Sequence, residues 1–349
     1  MLDTFCIRKS AWGLLLLATP LHSLTLRSPW DDTRVTATKA AYVCPIMPAL
    51  PRDLAMDPYY SDAQYSKADP AKKTKYEAAA AALEQFGRRV TEAADAYRER
   101  GSIEASTCVA GMLAIAATEQ AYTGQMSSRQ ANYAQNWLLG GVSMAWLKVR
   151  DEKPASAAEE KIIFAWLETM ARQVETFYGA CAADHESDAR NNLAYWEGMS
   201  VAAVGIAAND TAMFAWGVAR YRDGIAQITP EGTLPLEMTR GVRSLHYHLF
   251  AAAPLVMLAE MGEANDLDLY AEKDEALHRL VQRALSGIMK PEYFDRAAGV
   301  RQERIEPVQS ADIGWAASYE RRFPSRAISD ALQRVSNTAF WQWGGLPPP

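Results

Sequence analysis

Residues 192–208 read NLAYWEGMSVAAVGIAA, and small or apolar side chains fill almost every position after Gly198. A helix that is apolar around most of its circumference has to be buried on most sides. Residues 250–259, FAAAPLVMLA, repeat this composition further along the chain. The two stretches favour an architecture in which inner helices lie between a lumen and an outer ring of helices.

The sequence predicts helices almost everywhere after about residue 75, because apolar residues recur at three- and four-residue spacing. The segments with this pattern are 75–100, 108–122, 129–150, 157–178, 192–208, 211–228, 244–264 and 274–289. No linker rich in Gly, Ser or Pro separates them, so residues 24–349 are predicted to form one all-α domain of eight to eleven helices. An incomplete α/α toroid fits this pattern. A solenoid of helix pairs is the alternative, although the sequence shows no fixed period.

The N-terminus resembles an export signal. Arg8 and Lys9 precede the apolar run GLLLLATPLHSL at 13–24, so residues 1–23 are predicted to be a signal peptide. An amphipathic N-terminal helix is the alternative. Later apolar runs are shorter than the ~18 residues that span a bilayer, so a periplasmic or secreted protein without a membrane partner is expected. The net charge of -6 argues against a nucleic-acid partner.

Four cysteines are present, and Cys6 would leave with the signal. Cys44, Cys108 and Cys181 remain, which leaves at least one thiol outside any intramolecular pair. Pairing of Cys44 with Cys108 and three reduced buried thiols are both compatible with the sequence. No His or Cys spacing indicates a metal site, and no cofactor is expected.

Residues 57–76, DPYYSDAQYSKADPAKKTKY, contain three tyrosines within seven positions, four lysines and no core-forming run. Weakly packed segments of this kind serve as lids. The segment is therefore interpreted as a mobile lid that closes over a ligand, with a solvated connector as the alternative.

Two adjacent asparagines precede the apolar helix. Asn191 is a good candidate for its N-cap, because an Asn side chain accepts a hydrogen bond from the first free backbone amides. Asn192 has no such structural explanation, since Asn is unfavourable inside helices. It is therefore a candidate functional residue.

Residues 232–250 read GTLPLEMTRGVRSLHYHLF. A continuous helix over 240–248 would place Arg240, Arg243 and Tyr247 on one face. Two nearby cations are expected to lower the pKa of a tyrosine, which is ~10 in water, so that it can act as a base and then as an acid. A surface helix with solvated arginines is the alternative.

Other candidate groups in this sequence carry weaker signals. His246 and His248 are two residues apart and would point in different directions, so they cannot share one metal ion. Glu197 and Glu237 could form the carboxylate pair of a hydrolase on a helical toroid, but the sequence does not fix their separation.

The stretches NNLAYW and GTLPLEMTRGVRSLHYHLFAAAPL resemble the periplasmic alginate lyases of polysaccharide lyase family five. Those proteins typically read Asn-Asn-His-x-Tyr-Trp and then Gly-x-Leu-Pro-x-Glu-Leu-x-Arg-x-x-Arg-Ala-Leu-x-Tyr-His. The resemblance extends to CPIMP at 44–48, YSKAD at 65–69, NWLLGGVSMAWLKV at 136–149 and the glycine pair at 344–345.

The resemblance implies a single-domain α/α toroid that cleaves an anionic polysaccharide by β-elimination. A monomer is expected, although the sequence leaves the oligomeric state open. Asn192 and Arg240 would neutralise the C6 carboxylate of the reacting sugar. Tyr247 would take the C5 proton and return a proton to the glycosidic oxygen.

The resemblance also implies further binding residues and a disulfide. Lys67, in the lid segment, matches a lysine that the family uses at its active site. Arg243 is expected to bind substrate. Trp137 and Trp196 are candidates for stacking on sugar rings, with a buried structural role as the alternative. Cys44 and Cys108 match a family disulfide.

Two positions depart from the family pattern. Leu193 stands where relatives have His, and Gln342 stands where Arg is frequent, two residues before the glycine pair. The family assigns that His to charge neutralisation and to proton removal from L-guluronate. The sequence therefore predicts activity on D-uronates, with mannuronate-rich alginate as the expected substrate. The alternative is a non-catalytic or redirected relative that binds another exported polyuronate such as glucuronan.

Overall fold

A computed structural model describes residues 25–33 and 35–349, so the predicted signal peptide at 1–23 lies outside the described residues. Within those ranges the chain forms helices and isolated β-bridges and contains no β-strand. The helices are α1 Pro70–Arg100, α2 Ile103–Thr118, α3 Arg129–Val149, α4 Ala157–Ala183, α5 Asn192–Ala208, α6 Thr211–Ile225, α7 Pro235–Met238, α8 Ser244–Glu263, α9 Glu272–Met289, α10 Glu292–Ala298, α11 Ser310–Ile313, α12 Ala316–Arg322 and α13 Arg326–Leu332.

Each of the eight segments with helical periodicity contains a helix, and α5 occupies residues 192–208 as predicted. The described residues form thirteen α-helices rather than eight to eleven, because five helices of four to seven residues are too short to show a period. Helix α1 begins earlier than expected, at Pro70, because the Asp69 side chain accepts a hydrogen bond from the backbone amide of Lys72 and Pro70 provides a favourable first residue. The segment interpreted as a lid is consequently a loop only over residues 57–69. Residues 70–76 are the first turns of α1.

Helix α5 is the central element of the fold. Every residue from Asn192 to Ile206 is buried, as the apolar circumference predicts. The helix packs against α3, α4, α6 and α8. Its contact with α6 is closest at Gly217, where an added Cβ would lie 2.4 Å from the Gly198 carbonyl oxygen. Glycines at this contact allow the two backbones to approach each other.

The segments before α1 and after α13 are fastened to the helical body. Cys44 and Cys108 form a disulfide with Cα atoms 5.5 Å apart, which confirms the pairing implied by the family resemblance. Near the other end, the buried Lys148 Nζ forms a salt bridge with Asp95 and donates a hydrogen bond to the Gly344 carbonyl oxygen over 2.6 Å. These contacts hold the C-terminal segment against α1 and α3.

No helix in the described part of the chain is long and apolar enough to cross a membrane.

Candidate active site

A cleft of about 270 Å³ opens on one side of the helical body. This volume is near the lower end of the range for small-molecule sites, roughly 300 to 1,000 Å³. Tyrosines of the 57–69 loop form one wall, while α3, α5 and α8 form the others. The lining residues are Tyr59, Tyr60, Tyr65, Tyr76, Gln130, Tyr133, Trp137, Asp188, Asn192, Leu193, Arg240, Arg243, His246, Tyr247, Leu249, Phe250, Ala311, Asp312, Phe340 and Gln342.

The first turn of α5 delivers an amide and an apolar side chain to the cleft. Asn191 is the N-cap, and its side-chain oxygen accepts a hydrogen bond from the Leu193 amide over 2.9 Å, which confirms the capping prediction. Asn192 lines the cleft and donates through both its backbone amide (2.7 Å) and its Nδ2 (3.0 Å) to the Glu237 carboxylate. Leu193 also lines the cleft, so the position that relatives fill with His contributes only hydrocarbon.

Glu237 connects Asn192 to Arg240. It is fully buried, and its Oε2 accepts a hydrogen bond from Arg240 Nε over 3.4 Å. Burial raises the pKa of Glu237, whereas Arg240 and Asn192 act in the opposite direction. The carboxylate therefore holds a neutral donor and a cation side by side at the base of the cleft.

The structure brings together Arg240, Arg243 and Tyr247, as predicted. The prediction that one continuous helix carries all three residues is wrong. Helix α8 begins only at Ser244, because Gly241 adopts a positive φ of 57° and residues 241–243 form a 3₁₀ turn. The turn still brings both guanidiniums onto the Tyr247 ring. Arg240 Cζ lies 4.7 Å and Arg243 Cζ 5.4 Å from the ring centroid.

The pKa of Tyr247 is higher than expected from its two cationic neighbours. Burial raises it above the ordinary value, and Arg243 and Arg240 only partly offset that effect. The expectation of a lowered pKa is therefore wrong for the cleft in this state. The Tyr247 hydroxyl donates to the Tyr65 carbonyl oxygen of the 57–69 loop over 3.1 Å, a contact that favours the protonated phenol.

Only some of the other residues predicted to bind substrate line the cleft. Trp137 lines the cleft, as does Arg243, which also donates to the Tyr60 hydroxyl. Trp196 is fully buried and donates to the Phe250 carbonyl oxygen over 3.2 Å, so it is a core residue. Lys67 is exposed and lies outside the cleft lining, because Asp62 holds its backbone amide over 2.7 Å in a tight loop.

The two carboxylates considered for a hydrolase do not form a pair across the cleft. Glu197 and Glu237 are buried and lie outside the cleft lining in the described structure. Burial raises the pKa of Glu197 to about 9. Glu237 is hydrogen-bonded to Asn192 and Arg240, as described above. The described residues also contain no group of three or more His, Cys, Asp or Glu side chains that could hold a metal ion.

Two acidic cleft residues, Asp188 and Asp312, were not identified as functional from the sequence. Asp188 accepts hydrogen bonds from Tyr133 and, over 2.8 Å, from Arg129. Asp312 carried no sequence signal and lies with its Oδ1 4.0 Å from His246 Nδ1. Burial and then Arg243 lower the pKa of His246 to about 3, so its imidazole is neutral.

Solved structures define the class to which this architecture belongs. Alginate lyase A1-III complexed with a tetrasaccharide matches with a TM-score of 0.80 at 21% identity, covering 95% of this chain and 98% of that chain. An alginate lyase from Bacteroides ovatus matches with a TM-score of 0.59 at 15% identity, covering 90% of this chain and 86% of that chain. The fold is an α/α toroid like that of alginate lyase A1-III, which confirms the predicted fold class.

Sequence similarity identifies the family. A family model described as alginate lyase matches residues 53–294. A polysaccharide lyase of Stenotrophomonas maltophilia is 35% identical over 312 residues, covering 88% of this chain and 91% of that protein. An alginate lyase of Pseudomonas fluorescens is 30% identical over 227 residues, covering 64% of this chain and 60% of that protein. The chain belongs to the alginate lyase family.

Proposed function

We propose that the protein is a lyase that cleaves a D-uronate polymer by β-elimination, with Tyr247 as base and acid. One observation carries this proposal. Arg240 lies against the Tyr247 ring and is hydrogen-bonded to the same carboxylate, Glu237, that holds Asn192. A carboxylate-binding pair and a proton-transfer group thus share one end of the cleft. The alginate lyase relatives make mannuronate-rich alginate the expected polymer.

The reaction transfers one proton and breaks one bond. Tyr247 first releases its hydroxyl proton to water, and Arg240 and Arg243 stabilise the resulting phenolate. The phenolate removes the proton from C5, and the electrons of that C–H bond form the C4–C5 double bond. The C4–O4 bond breaks, and the glycosidic oxygen leaves with its electron pair. The tyrosine, now protonated, returns its proton to that oxygen. Substrate has to displace the Tyr65 carbonyl from the hydroxyl, which is why the 57–69 loop is proposed to act as a lid.

Arg240 supplies the main electrostatic part of catalysis, and Asn192 contributes once substrate draws its Nδ2 away from Glu237. Loss of the C5 proton places additional negative charge on the C6 carboxylate, and fixed donors aimed at developing charge are the largest contribution in such reactions. Arg240 engages Glu237 through Nε, and its two Nη groups make no hydrogen bond within the described residues. Those Nη groups are positioned to receive the substrate carboxylate.

Leu193 restricts the stereochemistry of elimination. In D-mannuronate and D-glucuronate, H5 and O4 lie on the same side of the ring, so one tyrosine can serve both. In L-guluronate they lie on opposite sides, and a second group has to reach the far face. Leucine cannot transfer a proton. We therefore expect polyguluronate to remain intact.

A panel of three polymers tests this function. Purified protein is incubated with mannuronan, glucuronan and polyguluronate while the absorbance of the unsaturated product is recorded. We expect product from a D-uronate polymer and none from polyguluronate. Leu193→His restores the family residue and is expected to add activity on polyguluronate. Equal wild-type rates on all three polymers would contradict the assignment of Leu193.

We further propose that the protein acts in the periplasm or outside the cell, as a monomer. The Cys44–Cys108 disulfide supports this location, because such bonds persist mainly in oxidising compartments.

A further inference from the structure

The positive charges of the cleft are already balanced within the described structure. Four lining side chains carry charge, namely Arg240, Arg243, Asp188 and Asp312. Asp188 is already paired with Arg129, so Asp312 is the lining carboxylate left to offset the two arginines. Outside the lining, Arg240 also contacts Glu237, and Arg243 lies 3.4 Å from Glu303. A polymer with a carboxylate on every sugar would meet no excess of positive charge here, whereas one carboxylate at Arg240 is well accommodated.

Asp312 offers a hydrogen-bond acceptor next to the proposed reaction centre. Its Oδ2 accepts from the Gln309 amide over 2.8 Å, whereas its Oδ1 accepts no hydrogen bond within the described residues. That oxygen lies 4.0 Å from His246 Nδ1, and the His246 ring is 5.3 Å from the Tyr247 ring. A ligand hydroxyl or amide N–H can donate to Oδ1, but a ligand carboxylate cannot.

Neutral polar atoms also line the cleft. Gln342 Oε1 and Trp137 Nε1 are buried without a hydrogen-bond partner in the described chain, and both residues line the cleft. Buried polar atoms in native proteins almost always have a hydrogen-bond partner, so a ligand group that pairs with either atom would be favoured. Sugar hydroxyls both donate and accept hydrogen bonds and can therefore satisfy each of them.

We propose that the subsite formed by Asp312, His246 and Gln342 holds an uncharged sugar, so that the preferred substrate alternates a D-uronate with a neutral hexose or N-acetylhexosamine. This inference rests on the proposed elimination at a D-uronate, and it replaces mannuronate-rich alginate, the polymer expected from the relatives, with an alternating polymer. The reacting uronate occupies the half of the cleft formed by Asn192 and Arg240. Asp312 repels a second carboxylate and accepts a hydrogen bond from a neutral sugar.

Kinetics on matched polymers test the proposal. kcat/KM is measured on mannuronan, on glucuronan, and on polymers of D-glucuronate alternating with N-acetylglucosamine or N-acetylgalactosamine. We expect an alternating polymer to exceed both homopolymers at least tenfold. A homopolymer cleaved equally fast or faster overturns the inference and leaves the proposed lyase function standing. Absence of elimination on every polymer overturns the lyase function itself.

The Asp312→Asn variant tests whether the Asp312 charge sets this preference. Removing the like charge is expected to raise kcat/KM on the homopolymers relative to the alternating polymers about fivefold. Glu303→Gln is the matched control, because it removes the same charge beside Arg243 from a side chain that is 62% exposed and outside the cleft lining. An unchanged ratio in Asp312→Asn, or an equal change in Glu303→Gln, refutes a specific role for Asp312.

Discussion

Glu237 is the residue on which the geometry of the proposed carboxylate site depends. It is fully buried and accepts hydrogen bonds from Asn192 and Arg240, the two residues proposed to bind the substrate carboxylate. A buried carboxylate with several donors fixes the orientation of each donor. We infer that Glu237 is a positioning residue, which acts through its neighbours.

Glu237→Gln tests this role. The variant keeps one acceptor for Asn192 but turns an amide N–H toward Arg240 Nε, so the guanidinium has to move. Because small displacements at a reacting centre cost up to about 100-fold in rate, we expect kcat to fall about 10- to 100-fold with little change in KM.

Glu197→Gln is the control for Glu237→Gln. Glu197 is equally buried but lies outside the cleft lining, and its raised pKa of about 9 keeps it protonated near neutral pH. We expect this variant to retain kcat. Melting temperatures of both variants separate a loss of folding from a loss of positioning. A wild-type kcat in Glu237→Gln would contradict the positioning role of Glu237.

At this scale the sequence is informative where a residue is out of place locally. Asn192 is unfavourable in a helix, and the sequence alone shows that a second asparagine beside the N-cap needs another explanation. Asp312 and Asp188 carry no such signal, because an Asp near a short helix or in a charged loop is ordinary. Their importance arises only from the residues that the fold places beside them. The direction of the Tyr247 pKa shift was predicted wrongly for the same reason. The sequence shows the two neighbouring arginines, but it does not show that the tyrosine is buried.

Among the helices, α5 and α6 approach each other closely at a pair of glycines. A Cβ on Gly217 would lie 2.4 Å from the Gly198 carbonyl oxygen and 2.6 Å from the Ala202 Cβ. Because overpacking a close contact typically costs about 1 to 3 kcal/mol, we expect Gly217→Ala to lower the free energy of unfolding by that amount. Chemical denaturation followed by circular dichroism measures the change.

Gly179→Ala is the control for this contact. Gly179 lies on α4, and an added Cβ there has no heavy atom within 4 Å. The substitution should stabilise the protein by about 0.4 to 1 kcal/mol, since alanine is the better helix former. A Gly217→Ala variant as stable as wild type would show that α6 can shift away from α5.

Helix positions followed from the sequence because apolar periodicity reports burial directly. The exception is instructive. Residues 240–248 were expected to form one helix, yet Gly241 adopts a left-handed φ and helix α8 starts at Ser244. Glycine permits this conformation without requiring it, so the break could not be placed from sequence alone.

At the scale of the molecule, the cleft is assembled from segments far apart in the chain. The 57–69 loop, the start of α5, the turn before α8 and the C-terminal segment each contribute lining residues. Two motifs identified the proposed reaction centre, whereas Asp312 and the aromatic wall depended on the tertiary structure. A toroid brings these segments together at one opening, and no local pattern encodes that arrangement.

The central claim is elimination with Tyr247 as the proton-transfer residue. It is tested most directly by the mass of the products formed by wild type and Tyr247→Phe from the best D-uronate polymer. Tyr178→Phe, at a buried hydroxyl outside the cleft lining, is the control. We predict unsaturated products one water lighter than hydrolysis products, and a rate about 10²- to 10⁴-fold lower in Tyr247→Phe alone. Products of hydrolytic mass, or wild-type rates in Tyr247→Phe, would contradict the account.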